Sequence, residues 1–251
     1  MRKLLKLFLL FSVTLPVYVA CSKENPSGGG SGKAPASAVA VDLGLSVKWA
    51  SCNVGASSQL EYGDYFAWGE TSPKTEYNYN SYKWNVGLTM FMTKYCADDE
   101  CGYNGFKDNK VTLDPEDDAA VVNWGGGWRT PTAAEWEELM EDCVWELGTL
   151  DGVYGARVSG KKSGYTDKWI FIPAAGVWHP SDGTTKPQTV DYREATNMMA
   201  PGASGYYWSS SLREDYAVTA QHLNFFYFNK AYVILPANDR VFGMPVRPVC
   251  K

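Results

Sequence analysis

Histidine is nearly missing from this chain: His179 and His222 are the only two in 251 residues. Imidazole-rich metal centres need more than that. Cys96 and Cys101, separated by four residues with no histidine beside them, make a poor zinc site. A nucleophile also needs a base within hydrogen-bond reach, and two histidines leave little choice. Basic residues are outnumbered as well, 23 Lys and Arg against 28 Asp and Glu, for a formal charge of −5. Nucleic acid is therefore not an expected partner, because phosphate contacts call for clustered Lys and Arg. Past the first twenty residues no apolar run approaches the roughly 20 residues that cross a bilayer, and no internal repeat is visible.

What is present begins with an address. Arg2, Lys3 and Lys6 precede the apolar run Leu7–Val13; Thr14 and Pro16 break it, and Ala20 is a small residue before Cys21. This reads as a secretory signal over residues 1–20. With Cys21 at the cleavage point, V-Y-V-A-C resembles the bacterial lipobox, with Tyr18 in place of the usual aliphatic residue. Cys21 is thus the expected lipidation site, and acyl chains the only expected membrane attachment. Residues 21–40 form a Gly, Ser and Pro tether, whose unlipidated part spans roughly 20–25 Å as a flexible chain. Residues 41–251 are one domain. Without Arg2, Lys3 and Lys6, 20 basic residues face 28 acidic ones, a formal charge of −8. Cys52, Cys96, Cys101, Cys143 and Cys250 then remain, an odd number in a compartment that permits disulfides.

Local patterns point to few helices and many short strands. Val41–Ala50 alternates as a strand with Val47 and Trp49 on one side. Tyr62–Glu70 is a short strand or packed loop. Ser72–Trp84 is polar and tyrosine-rich without a period, the kind of long irregular segment that is often functional. Asp114 can cap a helix with Pro115 at its first position, and Glu116, Asp117 and Asp118 complement the helix dipole. That helix continues through Ala119–Trp124 to the stop at Gly125-Gly126-Gly127. Thr132 with Glu135 forms a capping box for a second helix, whose Trp136, Leu139, Met140 and Cys143 face the core. Short strands follow at Val144–Leu147, Ala156–Val158 and Trp169–Pro173, with a polar loop after Gly176. The fold class is α+β.

The richest stretch is Gly205–Val249, where ten of 45 residues are Phe, Tyr or Trp against 14% of the whole chain. Leu223 and Phe225 read as a half-buried strand. From Phe226 to Phe242 the aromatic and aliphatic residues follow neither the strand nor the helix period, with Asn224, Asn229, Asn238, Asp239 and Gly243 as turn residues. Aromatic side chains scattered among small polar residues in loops suit a binding surface; a loop-rich core with buried Tyr and Trp is the alternative.

Seven motifs in order, VDLGLSVKWASCNVGA, YGDYFAWGETSPK, LDPEDDAA, NWGGGWRTPTAAEWEEL, PAAG, YYWSSS and VRPV, resemble the Fibrobacter succinogenes major paralogous domain, found in surface lipoproteins of gut bacteria. The match runs from Val41 to Val249. The resemblance implies a C-type-lectin-like fold, with two helices packed on small twisted antiparallel sheets, long loops at one end, and the first strand beside the strand ending at Val249. Related lectin-fold proteins are diversified by retroelements that rewrite adenine-containing codons near the C-terminus. On that resemblance Tyr206, Tyr207, Trp208, Ser209, Ser210, Leu223, Phe225, Arg240, Gly243, Val246 and Arg247 are a fixed frame. Asp215, Tyr216, Val218, Thr219, His222, Phe226, Tyr227, Tyr232, Ile234, Asn238, Asp239, Val241 and Phe242 are the variable positions. Every one of these is reachable from an asparagine codon ending in C.

The expected function is therefore capture of an unknown protein or glycan by a lipid-anchored protein at the bacterial outer membrane or cell surface. The expected ligand-binding residues are Asp215, Tyr216, His222, Asn224, Phe226, Tyr227, Tyr232, Asn238, Asp239, Val241 and Phe242. Truncating Tyr232 and Phe242 would on this reading spare stability. A structural or tip subunit of a surface assembly is the alternative. An enzyme related to formylglycine-generating domains is less favoured: Cys250 stands alone where that family pairs cysteines, and the Ser209–Ser211 run is no nucleophile elbow. No catalytic residue, metal or cofactor is expected. The calcium triplets of sugar-binding C-type lectins are missing, and Asp114, Glu116, Asp117 and Asp118 suit a helix start better than a calcium cage.

Overall fold

The two ends of the domain are stitched together. β1 (Ala40–Val41) and β2 (Lys48–Ala50) form a hairpin, and β10 (Val249–Cys250) closes on β2, pairing Val249 with Trp49 and Cys250 with Lys48. The structure, a computed structural model, describes residues 32–86, 91–97, 100–178, 202–228 and 230–251; for residues 227, 228 and 230–232 the strand backbone alone is described. The expected signal 1–20, Cys21 and most of the tether lie outside these residues, as do His179, Asn229 and the side chains of Tyr227 and Tyr232. Among the described residues no helix is long and apolar enough to cross a membrane.

The architecture is α+β, with small antiparallel sheets and two α-helices. The single strand expected over Val41–Ala50 is instead two, because Asp42 accepts from the Gly44 amide at 2.9 Å and Gly44 turns at φ 78°. Val47 and Trp49 are nonetheless both buried in one core, as their spacing requires. Tyr62–Glu70 is a packed loop held by one bridge, Phe66 to Met244.

The first helix is divided. Pro115–Asp117 is a single 3-10 turn and Asp114 makes no side-chain cap; the cap of α1 (Ala119–Trp124) is Asp118. Asp118 sits one turn inside the expected start because its buried carboxylate also receives the amide and hydroxyl of Thr130, at 2.9 and 2.6 Å, which ties α1 to the next segment. Gly125 ends α1, donating to Val121 O. α2 (Ala133–Asp142) has the full Thr132–Glu135 capping box, and Trp136 and Leu139 are buried.

β3 (Cys143–Leu150), β4 (Val153–Gly160) and β5 (Trp169–Pro173) make one antiparallel sheet. β6 (Ser204–Leu212), β7 (Thr219–Phe228) and β8 (Lys230–Ile234) make another, and β9 (Ala237–Asp239) pairs with β7. This second sheet is central. Tyr207, Leu223 and Phe225 point into a core with Trp49, Trp136 and Leu139, while Tyr206, Trp208 and Ala220 point into another with Phe66, Trp68 and Tyr82. A sheet covered on both faces has no polar face to reveal its period. Asn224, expected as a turn residue, lies instead inside β7 opposite Tyr206. Two glycines are fixed by close approach. A Cβ on Gly205 would lie 2.1 Å from the Phe225 ring, and one on Gly243 would lie 2.8 Å from Tyr77.

Trp208 is 1% exposed and donates its indole N–H to Phe66 O at 2.8 Å. Trp208→Ala should lower the unfolding free energy by about 3–5 kcal/mol in urea denaturation.

Candidate functional site

The loops at the β9 end of the central sheet are organised by Arg240, which has no exposed surface. Its Nε donates to Tyr82 Oη at 2.9 Å, Nη1 to the carbonyls of Ala217 and Tyr95 at 3.0 and 3.2 Å, and Nη2 to Lys94 O at 3.0 Å. The guanidinium also lies 5.0 Å from the Trp68 ring centroid and 5.4 Å from that of Tyr82. Five donors in a planar fork let one side chain pin three backbone segments at once. The Arg213–Val218 turn, the 79–95 loop and the strand end at Asp239 are thereby held in register.

On the outer side of this frame Asp215 and Tyr216 are exposed, Tyr216 by 39%. Arg213 forks onto the Asp215 carboxylate at 2.6 and 3.0 Å, which holds that carboxyl below its usual range. Asn238 and Asp239 are half-buried on β9, and Asp239 accepts from Tyr79 Oη at 2.8 Å. Burial first, then the Asp239 carboxylate, pushes the Tyr79 phenol up; the nearby Tyr216 adds to this. A groove of about 470 Å³ runs between Leu212–Asp215 and Leu235–Ala237, with Gln221 in its lining. Phe226 is half-buried and Ile234 is 41% exposed.

The frame is buried throughout: Tyr206, Tyr207, Trp208, Ser209, Ser210, Leu223, Phe225, Arg240, Gly243, Val246 and Arg247 all lie inside. The expected ligand set divides. Asp215, Tyr216, Asn238, Asp239 and Phe226 reach the surface to different degrees, whereas His222, Asn224, Val241 and Phe242 do not, a correction to the expected set. Val218 and Thr219 are buried too. Val241 and Phe242 follow Arg240 directly and are drawn in with it: the Phe242 amide donates to Asp239 O, and Gly243 bridges to Trp178. Truncating Phe242 is therefore a core change, contrary to expectation. His222 and Asn224 alternate on the same face of β7 as the inward residues opposite them, Trp208 and Tyr206. Their rings lie 5.9 and 5.6 Å from the His222 ring.

Sequence reasoning missed Tyr79, although its segment stood out as irregular and tyrosine-rich. It also missed Phe91, Tyr103 and Phe106, each 39–43% exposed on a loop whose turn is fixed by Asp108. Asp108 accepts from the amides of Tyr95 and Cys96, both at 2.8 Å.

Other chemistry is committed elsewhere. Carboxylate oxygens of Asp114, Glu116 and Asp117 lie within 4.8 Å of one another, near enough for a cation. The Lys94 ammonium occupies that position, 2.7, 3.6 and 2.6 Å from the three, and Lys83 reaches Asp117 at 3.0 Å. The hydroxyls of Ser209 and Ser210 donate to the carbonyls of Gln221 and Pro131, and Ser211 Oγ accepts from Ala133 N. No family model, curated protein or solved structure matches the chain.

His222 Nδ1 lies 3.1 Å from Leu223 O, its Nε2 has no hydrogen-bond partner among the described residues, and burial pulls its pKa down to about 4. A folded-state pKa below the ordinary 6.5 means that stability is present above pH 6.5 and lost as pH falls toward 4. Unfolding free energy measured in urea should drop by about 3 kcal/mol across that interval, and His222→Gln should remove most of the drop.

Proposed function

We propose that the chain is a lipid-anchored surface protein of the major paralogous domain kind, with a C-type-lectin-like fold, that captures a protein or glycan ligand at the β9 end of its central sheet. The contact residues are Asp215, Tyr216, Asn238 and Asp239, with Tyr79 beside them and the adjoining groove as a pocket; Phe226 and Ile234 lie further along β7 and β8. The observation that carries this reading is the division between frame and surface. Side chains assigned to the frame on motif grounds are buried without exception, while exposed positions such as Asp215, Tyr216 and Ile234 fall among the intervening ones. A rigid scaffold presenting a tyrosine and short polar side chains offers large contact area at low entropy cost. Support for the fold comes from the pairing of β2 with β10, the two helices, and the irregular segments between residues 51 and 118. Retroelement diversification fits this division only in part: Asp215, Tyr216 and Ile234 can change at the surface, whereas Val218, Thr219, His222, Val241 and Phe242 are buried.

A second reading, a subunit of a larger surface assembly, draws on Phe91, Tyr103 and Phe106. Their backbones adjoin, with Tyr103 N donating to Met92 O and Phe106 N to Tyr103 O, so three rings share one exposed stretch.

The test is capture of ligands from an array bearing glycans and host-surface proteins. Tyr216→Ala should weaken binding roughly thirtyfold, the ordinary effect of removing a tyrosine hot spot, with the melting temperature unchanged. Equal binding by the variant would overturn the assignment of this end, and sensitivity to Phe106→Ala alone would move it to the second reading.

A further inference from the structure

β3 is paired on one side only. Its eight residues run in unbroken register against β4, from Cys143 opposite Gly160 to Leu150 opposite Val153. The connection is Asp151-Gly152, with φ 47° and 85°, as a two-residue hairpin turn requires. In such a hairpin the flanking pair exchanges both its hydrogen bonds, and so does every second pair back along the strands. The amides and carbonyls of Trp145, Leu147 and Thr149 consequently point away from β4. The partner strand agrees: Tyr154, opposite Thr149, gives its carbonyl to Ala174 N at 2.8 Å on the β5 side. Among the described residues no backbone group outside β4 bonds to Val144–Leu150.

Open edges are usually blunted by lysine, proline, a bulge or brevity. β3 has none of these. Its one charge, Glu146, is engaged by Arg157 at 3.2 Å, Val144 is 45% exposed, and a Cβ on Gly148 would meet nothing within 4 Å. By contrast β1 and β10 have two residues each, and Phe171 on the β5 edge accepts from Arg247.

We infer that this edge pairs with the same edge of a second copy, antiparallel about a twofold axis at Leu147. Outward-pointing residues face one another for an axis at any residue of the strand, but an axis at Glu146 would oppose the two Glu146 carboxylates and one at Gly148 would set Glu146 against Leu150. An axis at Leu147 sets Trp145 opposite Thr149 of the second copy, twice by symmetry, and creates about six backbone hydrogen bonds. It also sets Val144 against Leu150 and Glu146 against Gly148, so apolar side chains meet and the two Glu146 carboxylates are not opposed. An axis at Trp145 would shorten the paired stretch, because α2 ends at Asp142. The strand is thus complementary to itself, which favours a second copy over an unrelated peptide. The two three-stranded sheets become one of six strands, and the dimer carries two copies of every surface site.

Sedimentation equilibrium of the full-length chain tests this. The wild type should show a monomer–dimer equilibrium. Val144→Glu or Leu150→Lys should each weaken it roughly tenfold, since every substitution occurs twice across the axis. The double variant should recover association, because opposite charges then meet on both sides. Unchanged near-ultraviolet circular dichroism in each variant would show that the monomer fold is intact. A chain monomeric at every concentration, a dimer indifferent to either single change, or a double variant no better than the singles would each overturn the inference.

Discussion

The structure depends most on a buried guanidinium that, among the described residues, is held by carbonyls and a phenol rather than by a paired carboxylate. Arg240 is met by three backbone carbonyls, a phenol and aromatic faces. Removing a cation from water is expensive unless its donors are satisfied, and here partners come from segments far apart in sequence. Arg247, also fully buried, donates from its terminal nitrogens to Ala50 O and Phe171 O at 3.0 Å each, while its Nε meets no acceptor among the described residues. Each arginine substitutes for regular secondary structure, satisfying carbonyls in a chain where loops outweigh strands. Neither partner set tolerates a lysine in its place, since a point ammonium cannot reach carbonyls in several directions in one plane.

Charge elsewhere follows a similar logic. Lys94 gathers Asp114, Glu116 and Asp117, and Tyr95 Oη donates to the Asp117 carboxylate at 2.7 Å. The carbonyl of that same Lys94 accepts from Arg240, so the acidic segment before α1 and the C-terminal sheet share one support. What looked like a helix start rich in dipole-compensating acids is an ion-pair cluster that anchors a loop.

The sequence was most readable where one interaction decides one local outcome. The Thr132–Glu135 capping box, the Gly125 stop and the Trp169–Pro173 strand are all where the residue pattern puts them. The residues placed in the frame by the motif resemblance are all buried. Legibility failed where tertiary contacts override pattern. Leu223 and Phe225 show the middle of β7, but its full length is hidden because residues 206–208 and 220–225 of the central sheet meet apolar neighbours on both faces, which removes the alternation of a half-solvated strand. Val241 and Phe242 were assigned outward because nothing in their composition reveals that the adjacent arginine is drawn inside. His222 and Asn224 were misplaced for a related reason: polar identity suggested surface, while strand alternation put them opposite Tyr206 and Trp208. Tyr79 had no signal beyond an aromatic-rich irregular segment.

The joining of the chain's two ends also sets an order of events. Ala50 waits for Arg247, 197 residues further along, and Trp49 for Val249. Until those final residues leave the ribosome, the first hairpin has no neighbouring strand and the buried tryptophans on either side of it have no lid. Loop closure over such a span is slow compared with local structure. The first hairpin therefore gains its second neighbouring strand only once Val249 and Cys250 are in place, and removing those residues would unpair one edge of β2 rather than fray a tail.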